Sequence, residues 1–210
     1  VLLREGLNLE QVTKRIVERF GILNLVAPIS NDRVQTKIVA KDGTYDFQKY
    51  FVHLRSEPEI TSVQYSGSDK ASISEGAMNA LGHEGLSAVI IAPSNPYLSI
   101  DPMLSIAGVR RRLINLETPV VAVSPMVSGK SVKGPTGKIM AEMGVPVSSL
   151  SVAKHYKDII SALVIDETDE KEAGAIEKLG IDVVISKTLM KTLDDKKNLA
   201  DNILEYITGI

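Results

Sequence analysis

Two periodicities divide the chain. Between Asn8 and Gly21 the apolar residues Leu9, Val12, Ile16 and Phe20 recur every three or four positions, the spacing of one helical face. Asn8 offers an N-cap acceptor and Gly21 a stop, so a single capped helix is expected there. From Leu23 to about Val63 the chain turns to β-branched and aromatic residues. Thr36-Lys37-Ile38-Val39 and Phe47-Gln48-Lys49-Tyr50-Phe51-Val52 flank a Lys41-Asp42-Gly43-Thr44 turn, and an Asp-Gly pair between two such runs predicts a hairpin. An antiparallel β insertion is therefore expected over residues 23–67. It separates a helix of the main domain at residues 1–22 from a Rossmann-like α/β core at residues 68–210.

Beyond Ser74, helical patterns alternate with short continuous apolar runs: Ala88-Val89-Ile90-Ile91-Ala92, Pro119-Val120-Val121-Ala122-Val123, Ala162-Leu163-Val164-Ile165 and Val183-Val184-Ile185. Unbroken runs of this length suit strands whose two faces are both covered by crossover helices. The fold class expected is α/β: a doubly wound, mostly parallel Rossmann-like sheet with an antiparallel β insertion. Helices are expected to begin near Ser74, Asp101, Thr136, Ser149, Thr168 and Lys187.

Composition narrows the function classes. At 210 residues, 44% hydrophobic and 24% charged, the chain can bury one substantial core. It has no cysteine, which removes disulfides, thiolate nucleophiles and Cys-ligated metals, and fits a cytoplasmic setting. A formal charge of −2 gives no general pull toward nucleic acid or anionic membrane, so an anionic ligand must be held by local donors. No apolar run reaches the roughly 20 residues of a membrane span. The first residue is Val1, within what reads as the tail of a helix, and further residues upstream are expected.

Two loops carry candidate chemistry because each follows a predicted core strand, where parallel sheets bind ligands. In Pro93-Ser94-Asn95-Pro96-Tyr97-Leu98-Ser99-Ile100-Asp101-Pro102, prolines stiffen the chain while Ser94, Asn95 and Ser99 offer neutral donors and acceptors. That chemistry suits a diphosphate or a nucleotide base, and equally an ordinary turn with Asp101 capping the next helix. Ser124-Pro125-Met126-Val127-Ser128-Gly129-Lys130-Ser131-Val132-Lys133-Gly134-Pro135 joins two glycines, which allow close backbone approach, to two lysines that neutralise phosphate. Gly129-Lys130-Ser131 has the ending of a Walker A loop, but Ser124 stands where that motif needs glycine, which argues against a P-loop.

Three other features admit structural readings. His155 could be an acid, a ligand or a capped surface residue. Asp166-Glu167-Thr168-Asp169-Glu170 could hold magnesium but also suits a helix N-terminus, the reading preferred here. Arg110-Arg111-Arg112 points in several directions along a helix, and the pI near 6.0 gives it no basic footprint.

Taken together, several segments resemble the 2-phospho-L-lactate transferase family, in the family's order and over nearly the entire chain. They are Leu3-Arg4-Glu5-Gly6-Leu7 with Val12-Thr13; Pro28-Ile29-Ser30-Asn31-Asp32; Asp46 to Val52 with Arg55 and Glu57-Pro58; Ala92-Pro93-Ser94-Asn95-Pro96 with Ser99-Ile100; Ser124-Pro125 with Gly129-Lys130 and Lys133-Gly134; His155-Tyr156; and Ile165-Asp166-Glu167-Thr168-Asp169. The resemblance implies transfer of a 2-phospholactyl, or in relatives a phosphoenolpyruvyl, group from a guanosine-diphosphate-activated donor to the deazaflavin FO. GMP leaves, and coenzyme F-420 is the pathway's product. It also implies magnesium as cofactor and a homodimer. Ser94, Asn95, Pro96 and Ser99 are then expected at the guanosine diphosphate, Gly129, Lys130, Lys133 and Gly134 at its phosphates, and Ser124 at either. The family's glycine-rich turn and acidic metal ligands would lie upstream of Val1, so residues 1–210 alone are expected to be inactive. A related bacterial family tied to carbon metabolism and cell-envelope control offers the alternative of a non-catalytic nucleotide-binding regulator.

Overall fold

The structure is a computed structural model and describes residues 2–132 and 134–209. After a short 3-10 turn, α1 (Leu9–Arg19) begins at Asn8 as the sequence predicts. The Gln11 N–H donates to Asn8 Oδ1 (2.8 Å) and the Asn8 N–H to Gln11 Oε1 (3.0 Å), which satisfies two of the helix's unpaired first-turn donors. Its apolar stripe meets little protein, since Ile16 and Phe20 are 47% and 77% exposed. The helix is held instead through Glu10, whose carboxylate accepts the Gly76 N–H at 2.6 Å.

The antiparallel sheet comprises β1 (Gln35–Ala40), β2 (Gly43–Asp46) and β3 (Ile60–Ser66), in the order β2-β1-β3. The predicted hairpin is present, with Ala40 paired to Gly43 and Lys37 to Asp46. Its second arm differs from expectation: Phe47 to Val52 is not a strand. A π-helical turn, Lys49–His53, stands there, closed by the Leu54 N–H donating to the Lys49 carbonyl at 3.0 Å. Burial explains the change. The turn drives Tyr50 to zero exposure, where its hydroxyl donates to the Ser56 carbonyl (3.2 Å) and its own carbonyl accepts the Ser56 N–H (2.9 Å). Packing of this kind overrides strand propensity in a short run. It also forces Arg55 and Ser56 to φ +49° and +58°, a left-handed conformation that costs about 1–2 kcal/mol per residue.

Strand and helix then alternate through α2 (Glu75–Leu81), β4 (Val89–Ile91), α3 (Asp101–Leu104), α4 (Val109–Ile114), β5 (Val120–Val123), β6 (Met126–Val127), β7 (Lys130–Ser131), α5 (Thr136–Glu142), α6 (Ser149–Tyr156), β8 (Ala162–Asp166), α7 (Ala173–Glu177), β9 (Asp182–Ser186) and α8 (Leu193–Gly209). All four predicted apolar runs are strands, and they form a parallel sheet in the order β4-β5-β8-β9. Successive residues feed two cores. Ala122, Leu163 and Ile165 pack with residues of α4 to α7, whereas Val121, Val123, Ala162 and Val164 pack with Leu199 and Ile203 of α8. Unbroken apolar runs are what two covered faces require. Strands laid down in chain order with right-handed crossovers put α4 to α7 on one face and leave α8 to cover the other. Ile38, Tyr50 and Ile60 of the insertion join the first core.

Three helix boundaries depart from the sequence pattern. Gly108, at φ +88°, parts the helix expected from Asp101 into α3 and α4. The helix expected near Thr168 opens as a 3-10 turn, Glu167–Glu172, before α7. The last helix starts at Leu193 rather than near Lys187. Asp195 accepts the Lys191 and Thr192 N–H groups at 3.0 and 2.9 Å, and its own N–H donates to Thr192 Oγ1. That reciprocal cap fixes the start six residues late and leaves residues 187–192 as a loop.

Asp166, at the carboxyl end of β8, joins these elements. One oxygen accepts the Thr168 N–H (3.1 Å) and hydroxyl (2.6 Å), the other the Thr188 N–H (3.0 Å) and hydroxyl (3.2 Å). Burial pushes its pKa up, but the four donors outweigh burial and hold the carboxyl below its ordinary value. The ionised group therefore contributes full stability above the unfolded carboxylate pKa of about 3.9 and loses it as pH falls through the lower folded value. Asp166→Asn should lower the unfolding free energy by about 1–3 kcal/mol at neutral pH. Urea titrations should show that gap narrowing once the solution is more acidic than about pH 4; a gap independent of pH would contradict the assignment.

Candidate functional site

A cavity of about 740 Å³ opens at the carboxyl ends of β4, β5 and β9, the edge where parallel sheets take ligands. Pro93, Ser94, Asn95, Leu98 and Ser99 line it from the segment after β4. Ser124, Pro125, Val132 and the Gly134-Pro135-Thr136 turn line it from the segment after β5. Thr188, Leu189, Met190 and Lys191 come from the segment after β9, and Phe47 and Phe51 from the insertion. The two loops singled out from sequence thus share one cleft.

The wall after β4 is rigid. Asn95 starts a π-helical turn, Pro96–Ile100, with Oδ1 accepting the Tyr97 and Leu98 N–H groups, both at 3.0 Å. This fixes the amide's orientation and leaves Nδ2 buried with no partner among the described residues. An orphaned donor in a cavity wall is what a missing acceptor would leave. The turn is braced from behind. Tyr65 on β3 donates to the Tyr97 carbonyl (2.6 Å), and Asp101 Oδ1 lies 2.8 Å from His155 Nε2. Burial, with Asp101 close by, holds the Tyr65 phenol well above its ordinary pKa, so it acts as a neutral donor. His155, edge-on to the rings of Tyr97 and Tyr156, is thereby a brace of the wall and not part of the cavity lining.

The second loop is folded differently from a free phosphate loop. β6 and β7 make a two-residue hairpin turned by Ser128 and Gly129, both left-handed at φ +53° and +65°. The Ser128 N–H donates to Thr168 Oγ1 (3.0 Å) and the Gly129 N–H to Asp169 Oδ1 (2.8 Å), so the hairpin tip is tied to the acidic turn after β8. Ser124 is buried, 2.8 Å from the Ser149 hydroxyl, and accepts the Met126 N–H. Of the residues expected from sequence, Ser94, Asn95, Ser99, Ser124 and Gly134 border the cavity. Pro96 is buried behind its wall, while Gly129 and the exposed Lys130 sit in the hairpin away from the lining. Lys133 lies outside the described residues.

Sequence reasoning missed Phe47 and Phe51, taken for a strand, and Thr188 to Lys191, taken for helix. The signal for the latter was the Thr192 and Asp195 pair, which marks a helix start three residues apart. Lys191 is the one cation in the cavity lining among the described residues. Arg110 is paired with Asp158 and also donates to the His155 carbonyl (3.3 Å).

A family profile described as "2-phospho-L-lactate transferase CofD" matches residues 1–201. Curated proteins named 2-phospho-L-lactate transferase are similar along the chain: that of Methanocaldococcus jannaschii is 40% identical over 208 residues, and that of Methanococcoides burtonii 37% over 209. The chain belongs to the 2-phospho-L-lactate transferase family. Those alignments take in 97% and 100% of this chain but 65% and 67% of the relatives, so it spans about two thirds of the length of the transferases it matches. Among solved structures, protein BH3568 of Bacillus halodurans shares the fold with a TM-score of 0.62 at 13% identity, over 94% of this chain and 67% of that one. A second structure of that protein, titled a member of the UPF0052 family, gives 0.59 over 92% and 66%.

The family resemblance implies magnesium, and the described residues do not fit a site for it. No three Asp, Glu, His or Cys side chains are grouped to hold a metal among them. Both oxygens of Asp166 are taken by threonine donors, and Asp169 offers a single unpartnered oxygen, Oδ2. Asn95 is the fixed point of the cavity wall, which lends itself to test. Asn95→Ala removes the acceptor for two backbone donors and should cost about 0.5–2 kcal/mol in chemical denaturation. Asn95→Asp keeps that acceptor but buries a second carboxylate oxygen with no donor among the described residues, so it should also be destabilised, by about 1–3 kcal/mol.

Proposed function

We propose that this chain supplies the donor-binding cleft of a 2-phospho-L-lactate transferase. In this reading a 2-phospholactyl group, or its phosphoenolpyruvyl counterpart, moves from a guanosine-diphosphate-activated donor to the deazaflavin FO. A ribityl hydroxyl oxygen of FO forms a bond to the phosphorus that carries the lactyl group. The anhydride bond breaks with its electron pair going to GMP, and the hydroxyl proton passes to solvent. Such a transfer asks the protein mainly to position the reactants and stabilise charge on phosphate oxygens. Magnesium, whose ligands the described residues do not assemble, a homodimer and a cytoplasmic setting belong to the same proposal.

The observation that carries it is the shared cleft of Asn95, Ser99, Thr136 and Lys191 at the carboxyl edge of the sheet. Asn95 holds this wall in place through its fixed amide, with Nδ2 buried. The side-chain hydroxyls of Ser94 and Ser99 make no hydrogen bond among the described residues and can serve phosphate or base oxygens. Lys191 supplies the positive charge. Arranged this way, the donors are neutral, and the exposed Lys191 ammonium group compensates charge without heavy desolvation.

Incubating the full-length protein that carries this chain with FO, magnesium and the activated donor should yield GMP and the phosphodiester, resolved by chromatography; a regulator would yield neither. Asn95→Asp, which places a negative charge in the cavity wall, should weaken GDP binding by at least about 10-fold, a 1.4 kcal/mol effect. Lys191→Ala should weaken it by about 3- to 10-fold, and more at low ionic strength. Lys130→Ala, away from the cavity lining, should change GDP affinity by less than about 2-fold. Calorimetric titration of the three variants checks the order.

A further inference from the structure

The cavity has an aromatic side that phosphate chemistry leaves without a role. Phe47 and Phe51 stack with ring centroids 5.5 Å apart and planes 21° from parallel, and both rings border the cavity. Had Phe47 to Val52 been a strand, the two residues would stand about 13 Å apart along it. The π-helical turn brings residues four apart onto neighbouring positions, where their rings meet. Phe51 stays 42% exposed even so. Phe47, packed against the main core, backs it, and the turn is anchored by the fully buried Tyr50.

The energetics are unusual for a surface feature. A phenyl ring left open to water forfeits apolar burial, and the closure at Arg55 and Ser56 costs left-handed backbone strain. Strain of this type collects at ligand sites. Both described π-helical turns, Lys49–His53 and Pro96–Ile100, border this one cavity. Such turns make up well under about 1% of residues and recur at functional sites. Leu98, Leu189 and Met190 line the same space. Apolar walls, a thioether and a rigid stacked pair suit a flat, polarisable ring. A short aliphatic acid would gain little from parallel aromatic planes.

We propose that the Phe47–Phe51 stack is the seat of a planar fused heteroaromatic ring, which lies against Phe51 as a third layer. The proposal rests on the transferase reading only for the ring's source, because both substrates there carry such a ring, the deazaflavin of FO and the guanine of the donor. Three probes separate the sources: FO by its fluorescence, and GDP and inorganic pyrophosphate by calorimetry, each titrated into the natural protein, Phe51→Ala and Phe51→Leu.

Base-on-aromatic stacking predicts that Phe51→Ala weakens one ring ligand by about 5- to 100-fold. Phe51→Leu, which keeps apolar bulk, should lose less, and pyrophosphate affinity should hold. Loss for FO alone seats the deazaflavin; loss for GDP alone seats guanine; either supports the proposal. Unchanged affinity for both rings, an equal loss for pyrophosphate, or a natural protein that binds neither ring overturns it. Product formation with unchanged ring affinities in Phe51→Ala sinks the seat and leaves the transferase reading standing. Ring affinity that falls with no product formed in the natural protein does the reverse.

Discussion

Asp166 is the carboxylate on which the cleft's geometry depends. It is 2% exposed and makes no ion pair among the described residues, and its charge is held by four threonine donors from two segments. An ionised group in such a place is tolerated only when its lone pairs are matched, and here each oxygen takes one backbone and one hydroxyl donor. The consequence reaches beyond the group itself. Thr188, fixed by one oxygen, begins the segment that ends in Lys191 at the cavity. Thr168, fixed by the other, accepts the Ser128 N–H and so holds the hairpin that precedes the Gly134-Pro135-Thr136 turn. Two of the cavity's walls are therefore set by one buried charge.

The wall after β4 is set by a different device. Asn95 closes the turn after β4 on itself, and the Tyr65 hydroxyl ties that turn to the antiparallel sheet. The insertion thus does two jobs through one core: Tyr65 braces the wall from outside, and Tyr50 folds the chain so that Phe47 and Phe51 reach the cavity. In both places the backbone adopts a π-helical turn with strained or unpaired groups beside it. Local order is given up where a ligand would restore it.

Much of the fold was legible because burial leaves a direct trace in sequence. Ala162 to Ile165 is apolar at every position since both cores claim its side chains, and no solvent-facing residue interrupts the run. The Asn8 cap and Ser74 cap were equally readable, because a side-chain acceptor three residues before an unpaired N–H is a local matter. One of the two failures was not local. Phe47 to Val52 has strand composition, and only the buried seat for Tyr50, built by residues distant in sequence, turns it into a helical segment. Residues 187–192 looked helical by continuation; the Asp195 cap stops the helix short.

Those two misread segments are also the ones that complete the cavity, and the coincidence has a physical cause. Natural sequences agree with their structures at every level except where a site demands otherwise. The readable residues, Ser94, Asn95, Ser99 and Ser124, contribute neutral hydrogen-bonding groups. The unreadable ones contribute what those lack: Lys191 the charge, and Phe47 and Phe51 the apolar planes. A protein with a net charge of −2 has no long-range field to gather an anion. In the proposed reading selectivity comes from contact, with the neutral wall hydroxyls, the Lys191 ammonium and the stacked ring pair met together. A ligand with only phosphate, or only a ring, would satisfy half of it.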